Sequence, residues 1–150
     1  MPRLLVVHHT PSPALHSMLT AVRDGASDPA LAGVELVTRP ALTAGAADVL
    51  GADAVVVGGP VNLGYLAGAL KHFFDQIYYP CLEDTVGMPF AAYLHGNDDL
   101  TGGRLALDRI TAGLRWRRVQ SLMEVTGTPS NEDLAACWEL GAAPAAGLLA

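Results

Sequence analysis

The chain has 150 residues, of which 51% are hydrophobic and 16% charged, and its formal net charge is −6 at pH 7. This length suffices for one domain with its own core, and the composition is that of a folded chain rather than a disordered one. The acidic balance argues against nucleic acid as a partner, because phosphate backbones are bound by basic surfaces. No apolar run reaches the roughly 20 residues of a membrane span.

Cysteine and histidine usage excludes other kinds of site. Cys81 and Cys137 lie far apart in the sequence, and the five histidines show no metal-ligand spacing. We therefore expect free thiols and no metal site. Residues 1–7 are too short for a signal peptide before the first apolar run, so we expect a cytoplasmic protein without membrane contact.

Apolar runs and helical stripes alternate five times along the chain. The predicted strands cover residues 4–7, 34–37, 54–57, 90–94 and 119–125. The predicted helices cover about residues 13–23, 44–50, 66–79, 104–114 and a last stretch after Ser130, where Asp133 completes a capping box. This alternation predicts a single α/β domain over residues 1–150, with a five-stranded parallel sheet and helices on both faces. The expected strand order is 2-1-3-4-5, with its switch point between strands one and three.

The first loop, residues 10–15, follows strand one. Ser12 is a favourable N-cap and Pro13 a favourable first helical residue. Three N–H groups are expected to be free behind this cap, those of Ala14, Leu15 and His16. With the helix dipole and the hydroxyls of Thr10 and Ser12, they favour a phosphate, whereas the lack of a Walker-type lysine argues against a nucleoside triphosphate. Taken alone, the pattern is more typical of an ordinary capped turn.

The second loop, residues 60–65, follows strand three. Residues 58–60, Gly-Gly-Pro, are expected to end that strand and to let another group approach the backbone closely. Backbone groups of this kind suit the edge of a flat heteroaromatic ring, and Tyr65 or Leu63 would cover its face. The alternative is a tight turn before a buried helix.

The third loop, residues 95–103, is polar and rich in glycine. Since strands one, three and four are parallel, all three loops are expected at one edge of the sheet. The third loop would close over the far end of the same ring, and the alternative is a solvated loop carrying Asp98 and Asp99. Together the three loops favour a ligand site over three unrelated turns.

Residues 53–76 carry a family resemblance. They read Asp-Ala-Val-Val-Val-Gly-Gly-Pro-Val-Asn-Leu-Gly-Tyr-Leu-Ala-Gly-Ala-Leu-Lys-His-Phe-Phe-Asp-Gln. The Gly-x-Pro at Gly58 and the Lys-x-Phe-x-Asp at Lys71 resemble the flavodoxin-like superfamily. Within it, the stretch is most similar to the NADPH-dependent FMN reductases and the NAD(P)H:quinone oxidoreductases of the tryptophan-repressor-binding type. The resemblance extends to strand one, helix one and the third loop with helix four.

The resemblance implies a three-layer flavodoxin-like fold that binds FMN non-covalently. The phosphate would lie on Thr10, Ser12, Ala14 and Leu15. The isoalloxazine would lie against Pro60, Val61, Asn62, Leu63, Gly64 and Tyr65, and against His95, Gly96 and Asn97. It also implies hydride transfer from NAD(P)H to the flavin and then electron transfer to a quinone, a free flavin or another small acceptor. No protein acid or base is required, and His95 is the one candidate for a hydrogen bond to flavin or acceptor.

Helix three predicts a homodimer, because its apolar and aromatic residues exceed one core-facing stripe. These residues are Phe73, Phe74, Ile77, Tyr78 and Tyr79. The alternative is a helix buried on one side with its tyrosines at the rim.

Two other functions stay open. One is an electron-transfer flavodoxin, although such proteins flank the flavin with aromatic side chains and Tyr65 is the only candidate for that role here. The other is a binding or regulatory module of the same fold without FMN, which Pro13 and the acidic third loop favour. A response regulator is excluded, since His8 and His9 stand where acidic residues are needed.

Overall fold

Strands and helices alternate in the computed structural model, which describes the whole chain from Met1 to Ala150. The strands are β1 (Arg3–His8), β2 (Glu35–Pro40), β3 (Ala54–Asn62), β4 (Tyr65–Leu66), β5 (Pro89–Gly96), β6 (Arg117–Arg118) and β7 (Met123–Thr126). The α-helices are α1 (Pro13–Ala26), α2 (Ala46–Leu50), α3 (Gly68–Cys81), α4 (Thr101–Gly113) and α5 (Asn131–Gly147), and a 3₁₀ turn covers Pro29–Leu31. None of these helices combines the length and apolar character needed to traverse a bilayer.

The parallel sheet has the predicted order. β2, β1, β3 and β5 lie side by side, and β6 and β7 share the fifth position beside β5. The fifth strand, predicted over residues 119–125, is therefore two short strands. The Val119 N–H still donates to the Phe90 carbonyl at 2.9 Å, and residues 120–122 lie outside the ladder. Since this strand lies at an edge, only one neighbour holds it in register, and its polar Gln120 and Ser121 leave the sheet without exposing a core.

The alternation of side chains along the central strands builds two apolar layers. Leu5, Val7 and Val55 face α2, α3 and α4, whereas Leu4 and Val6 face α1 and α5. The prediction of an α/β domain with a parallel sheet and helices on both faces is confirmed.

The helix starts follow the sequence signals. The Leu15 N–H donates to Ser12 Oγ at 3.2 Å, with Pro13 in the first helical position. At the start of α5, Ser130 and Asp133 form the predicted capping box, with hydrogen bonds of 2.9 and 3.0 Å. Other boundaries are less well predicted, since α3 begins at Gly68 rather than Leu66 and runs past Pro80 to Cys81. The third loop is also shorter than predicted, because β5 continues to Gly96 and α4 begins at Thr101 rather than Arg104.

The glycines after the apolar run of β3 do not end the strand, which corrects the prediction. β3 continues through Gly58, Gly59 and Pro60 to Asn62. A Cβ atom at Gly58 would overlap the Tyr93 ring, and one at Gly59 would lie 2.8 Å from Leu70 Cδ1. The groups that approach this backbone closely are therefore core side chains on the two faces of the sheet.

Candidate functional site

The carboxyl ends of β1, β3 and β5 meet at one edge of the sheet, as predicted. These strands are adjacent and parallel, so the three loops that follow them are neighbours. The second and third loops are in direct contact, because a Cβ atom at Gly102 would overlap the Gly64 carbonyl oxygen. A Cβ atom at Gly103 would overlap the Val61 side chain at Cγ2. Small residues at the start of α4 thus let the helix press against the second loop.

The second loop is the tip of a β-hairpin. β3 and β4 pair antiparallel, with Asn62 opposite Tyr65, and only Leu63 and Gly64 lie between them. Both have positive φ, +52° and +76°, as in the two-residue turns that suit a hairpin. The left-handed conformation costs a residue such as leucine about 1 to 2 kcal/mol. Leu63 is also fully exposed, and strain of this kind clusters at ligand-contacting sites.

A cleft of about 420 Å³ separates the hairpin tip from the third loop. Its lining residues are Val61, Asn62, Leu63, Gly64, Asn97, Asp98, Asp99 and Leu100. The volume falls within the range of small-molecule sites. Val61 and Leu100 are buried and form its apolar base. The other six lining residues, 62–64 and 97–99, are exposed.

Not every residue expected against the ring lines this cleft. Pro60 and Gly96 are buried within paired strands, opposite His95 and Thr126 respectively. Tyr65 instead borders a second hollow of about 270 Å³ with Leu105 and Arg109. Leu100 belongs to the cleft but was not predicted, because its apolar side chain within a polar loop gave no sign of which way it points.

The first loop offers backbone donors, but only one of the three that were predicted. The Leu15 N–H is bonded to Ser12 Oγ, and the His16 N–H donates to the Ser12 carbonyl at 3.0 Å. Of the three predicted donors, only the Ala14 N–H has no partner in the chain, and the N–H groups of Thr10 and Ser12 are also unpaired. They alternate with Pro11 and Pro13, which have no N–H.

This donor set fits a phosphate. Besides the three N–H groups, the Ser12 hydroxyl keeps its proton free, because its oxygen is the acceptor in the cap. The first turn of α1 carries no acidic residue, and the positive end of the helix dipole lies there. Leu15 itself contributes only to the cap, since its side chain is buried in the core.

His8 lies beneath this loop at the end of β1. Its Nδ1 is 2.7 Å from Thr10 Oγ1. Burial lowers the pKa of His8 below its usual value, and the positive charges of Arg23 and His9 lower it further. The ring is therefore neutral at pH 7, and its one N–H proton is on either Nδ1 or Nε2.

The two carboxylates of the third loop have different environments: Asp99 caps the start of α4, and Asp98 faces solvent. Asp99 Oδ1 accepts hydrogen bonds from the Thr101 N–H at 2.9 Å and the Thr101 hydroxyl at 2.6 Å. These two bonds lower the pKa of Asp99 below its ordinary value. Asp98 is exposed and makes no hydrogen bond within the chain, so water screens its charge.

His95 serves the backbone rather than the cleft. Its side chain is buried, and Nε2 donates to the Gly127 carbonyl at 2.7 Å. The Gly127 N–H in turn donates to the Gly96 carbonyl at 2.9 Å. These two bonds hold the turn between β7 and α5 against the end of β5, which is a structural role that no local pattern in the sequence announces.

Helix α3 buries more of its aromatic face than expected. Phe73, Phe74 and Ile77 are all buried in the core. Tyr78 is partly buried against Gly113, and Tyr79 is exposed. This arrangement is that of a helix buried on one side with its tyrosines at the rim, and the homodimer stays a prediction.

Comparison with known proteins identifies the fold. No protein-family model matches the chain. A flavodoxin of Aquifex aeolicus strain VF5 is 34% identical over 77 residues, which are 51% of this chain and 40% of that protein. The chain thus spans well under two thirds of the length of the curated relative it matches.

Solved structures match over nearly the whole chain. A flavodoxin from the domain Archaea aligns with a TM-score of 0.81 at 16% identity, covering 99% of both chains. Oxidised flavodoxin 1 from Bacillus cereus aligns with a TM-score of 0.80 at 16% identity, again over 99% of both. A WrbA-like flavodoxin from Agrobacterium tumefaciens aligns with a TM-score of 0.77 at 19% identity, over 98% of this chain and 97% of that one. The chain therefore has the flavodoxin-like fold.

Proposed function

We propose that this chain is an FMN-binding oxidoreductase that passes electrons from NAD(P)H to a quinone, a free flavin or another small acceptor. One observation carries the proposal. A cleft of about 420 Å³ and a loop with three unpaired N–H groups lie at the same edge of a flavodoxin-like sheet. A ring and a phosphate need these two environments side by side.

The first loop would hold the phosphate. The N–H groups of Thr10, Ser12 and Ala14 are its backbone donors, and the hydroxyls of Thr10 and Ser12 supplement them. The Leu15 N–H keeps Ser12 oriented through the cap. Because Pro11 and Pro13 restrict φ on both sides of Ser12, these donors are ordered before any anion arrives.

The hairpin tip and the third loop would hold the ring. Asn62 and Asn97 present amides at the two walls of the cleft, and Leu63 lies ready to cover a ring face. Bound FMN would supply the hydride and electron transfer. Since no acid or base of the chain lines the cleft apart from exposed Asp98 and Asp99, the side chains bind and orient rather than transfer protons.

A spectrum of the purified full chain, before and after addition of FMN, tests the proposal. We expect flavin absorbance bands with FMN bound, and NADH or NADPH oxidation in the presence of a quinone or free flavin. A colourless protein that leaves the fluorescence of added FMN unchanged would contradict the proposal and favour a module without cofactor.

Leu63 supplies a variant with a matched control. Leu63→Asn is expected to weaken FMN binding by about fivefold through lost apolar contact, while the fold is retained because asparagine tolerates positive φ. Leu42→Asn replaces another exposed leucine, one with an ordinary negative φ, and should leave FMN affinity unchanged. Equal affinities in the two variants would remove Leu63 from the ring site.

An electron-transfer flavodoxin is the second candidate. It is favoured by the two flavodoxins that align over 99% of both chains. Bound FMN that is not reduced by NADH or NADPH, but is stable in a one-electron reduced form during dithionite titration, would favour this candidate over the reductase.

We also propose that the protein is cytoplasmic and that it forms a homodimer. The support for the dimer is the exposed Tyr79 ring, which packs edge-on against Tyr78 at a centroid distance of 5.3 Å on the outer side of α3. A Tyr79→Ser variant with the same sedimentation coefficient as the unmodified chain would argue against a contact there.

A further inference from the structure

The hydrogen bond between His8 and Thr10 joins the sheet to the first loop. His8 ends β1, and its Nδ1 lies 2.7 Å from Thr10 Oγ1. The other ring nitrogen, Nε2, has no partner in the chain. The Thr10 N–H is also unpaired, so Thr10 offers both its N–H and its hydroxyl beside the N–H groups of Ser12 and Ala14.

A hydroxyl has one proton, and its direction depends on the tautomer of His8. If Nδ1 has no proton, it accepts from Thr10, and the threonine oxygen then turns lone pairs rather than a proton toward the loop. If Nδ1 carries the proton, it donates to Thr10 Oγ1, and the hydroxyl proton is free for an anion. Only the second arrangement lets Thr10 bind a phosphate through its side chain.

We infer that His8 is a positioning residue, which as the Nδ1–H tautomer directs the Thr10 hydroxyl proton toward the phosphate of a ligand held at the first loop. The inference rests on the proposed function for the identity of the ligand as FMN. The tautomer change is balanced, since Nε2 releases one proton to water and Nδ1 takes one up.

The surroundings of His8 keep its ring neutral. Arg23 and His9 both lower the pKa of His8, as does burial of the ring. A neutral ring is the state in which the tautomer matters, because an imidazolium would donate from both nitrogens.

Binding by the full chain of three ligands, FMN, riboflavin and inorganic phosphate, tests the inference. His8→Leu should weaken FMN and phosphate binding about tenfold, the effect of losing one hydrogen bond to a charged group, and leave riboflavin binding unchanged because riboflavin has no phosphate. His8→Asn places an amide N–H near the position of Nδ1 and should restore most of the affinity. His72→Leu removes an exposed histidine of α3 and is the matched control.

Thr10→Val provides the coupling test. In that background His8→Leu should have no further effect, since the hydroxyl that His8 orients is gone. Circular dichroism of each variant excludes loss of folding as the cause. Additive effects of the two substitutions would overturn the inference.

Nitrogen-15 chemical shifts of His8 in the unmodified chain give a readout that needs no variant. Inorganic phosphate should shift the ring toward the Nδ1–H tautomer. An unchanged Nε2–H tautomer, or equal FMN affinity in His8→Leu and His72→Leu, would overturn the inference while the proposed function stood. Phosphate binding that depends on His8 without any FMN binding would overturn the proposed function alone, and binding of neither ligand would overturn both.

Discussion

Tyr93 shows how one residue shapes the centre of the sheet. It is the largest side chain that the fold buries completely, and its ring lies over Gly58, where no Cβ atom could fit. Its hydroxyl is the one buried side-chain polar atom without a hydrogen-bond partner. Burial raises the pKa of Tyr93, and the neighbouring Cys137 thiol adds to the effect. The hydroxyl is therefore neutral and unsatisfied, at a cost of about 1 to 3 kcal/mol.

Removing that hydroxyl should stabilise the protein. Tyr93→Phe keeps the ring over Gly58 and eliminates the unsatisfied group, so we expect the free energy of unfolding to rise by up to about 1 kcal/mol in urea titrations. Tyr79→Phe, which removes an exposed hydroxyl, is the control and should have no effect. A marked loss of stability in Tyr93→Phe would mean that an ordered water satisfies the hydroxyl.

At the scale of elements, a polar network fixes the third loop against the sheet. Asp99 accepts from Thr101, Arg104 donates to both Glu124 oxygens at 2.9 Å, and the Arg104 guanidinium reaches Thr101 Oγ1 at 3.3 Å. These bonds connect the start of α4 to β7. They hold one wall of the cleft in place, while the hairpin forms the other wall.

This network predicts a pH dependence at the start of α4. The pKa of Asp99 is lowered in the folded protein by its hydrogen bonds to Thr101. A lowered pKa stabilises the folded form above the ordinary value of 3.8, and the contribution is lost as the pH falls through the lowered pKa. The Thr101 amide proton should therefore shift in NMR spectra with a midpoint below that ordinary value.

Two variants check the assignment of that midpoint. Asp99→Asn should abolish the titration, whereas Asp98→Asn removes an exposed carboxylate without hydrogen bonds and should leave it intact. A midpoint at Thr101 that shifts in Asp98→Asn would show that Asp98, and not Asp99, is the group that titrates.

At the scale of the whole molecule, periodic patterns predict more than single residues do. The alternation of apolar runs and helical stripes was enough for the layers, because strands buried on both faces need helices on both faces. The strand order came from the common topology of five-stranded doubly wound sheets. The extent of β3 was not predictable, since glycine marks a strand end in one context and room for Tyr93 or Leu70 in another. Those two partners are distant in sequence.

The candidate site is likewise predictable from the sequence only in part. Its position at the sheet edge follows from parallel strands, and a Ser-Pro pair marks the start of α1 locally. Which N–H groups stay free depends on the path of the first loop, and whether His95 faces the cleft depends on Gly127. The first is decided by Ser12 within the same loop, which binds the Leu15 and His16 N–H groups. The second is decided by a contact between distant segments, which no local pattern reveals.

The two cysteines test whether the layers of the molecule unfold together. Cys81 lies in the layer of α3 and Cys137 in that of α5, and neither is exposed. Burial raises the pKa of both thiols, that of Cys137 to about 11. Since the reactive form is the thiolate, neither should react with a disulfide reagent at pH 8 while the fold is intact.

We expect Cys81→Ala and Cys137→Ala variants to be labelled at the same rate, with a dependence on urea that follows global unfolding. The physical reason is that both layers share one sheet, so neither can open without exposing the other face. Faster labelling of one thiol in native buffer would identify its layer as a separate unfolding unit.

The interruption of the edge strand has a consequence for engineering. Residues 120–122 leave the ladder on the outer side of β5, and Ser121 is exposed. Additional chain inserted at this point would emerge into solvent without displacing a paired strand. A reporter peptide or a second domain grafted after Gln120 would thus be attached to the sheet itself while leaving the three loops unaltered.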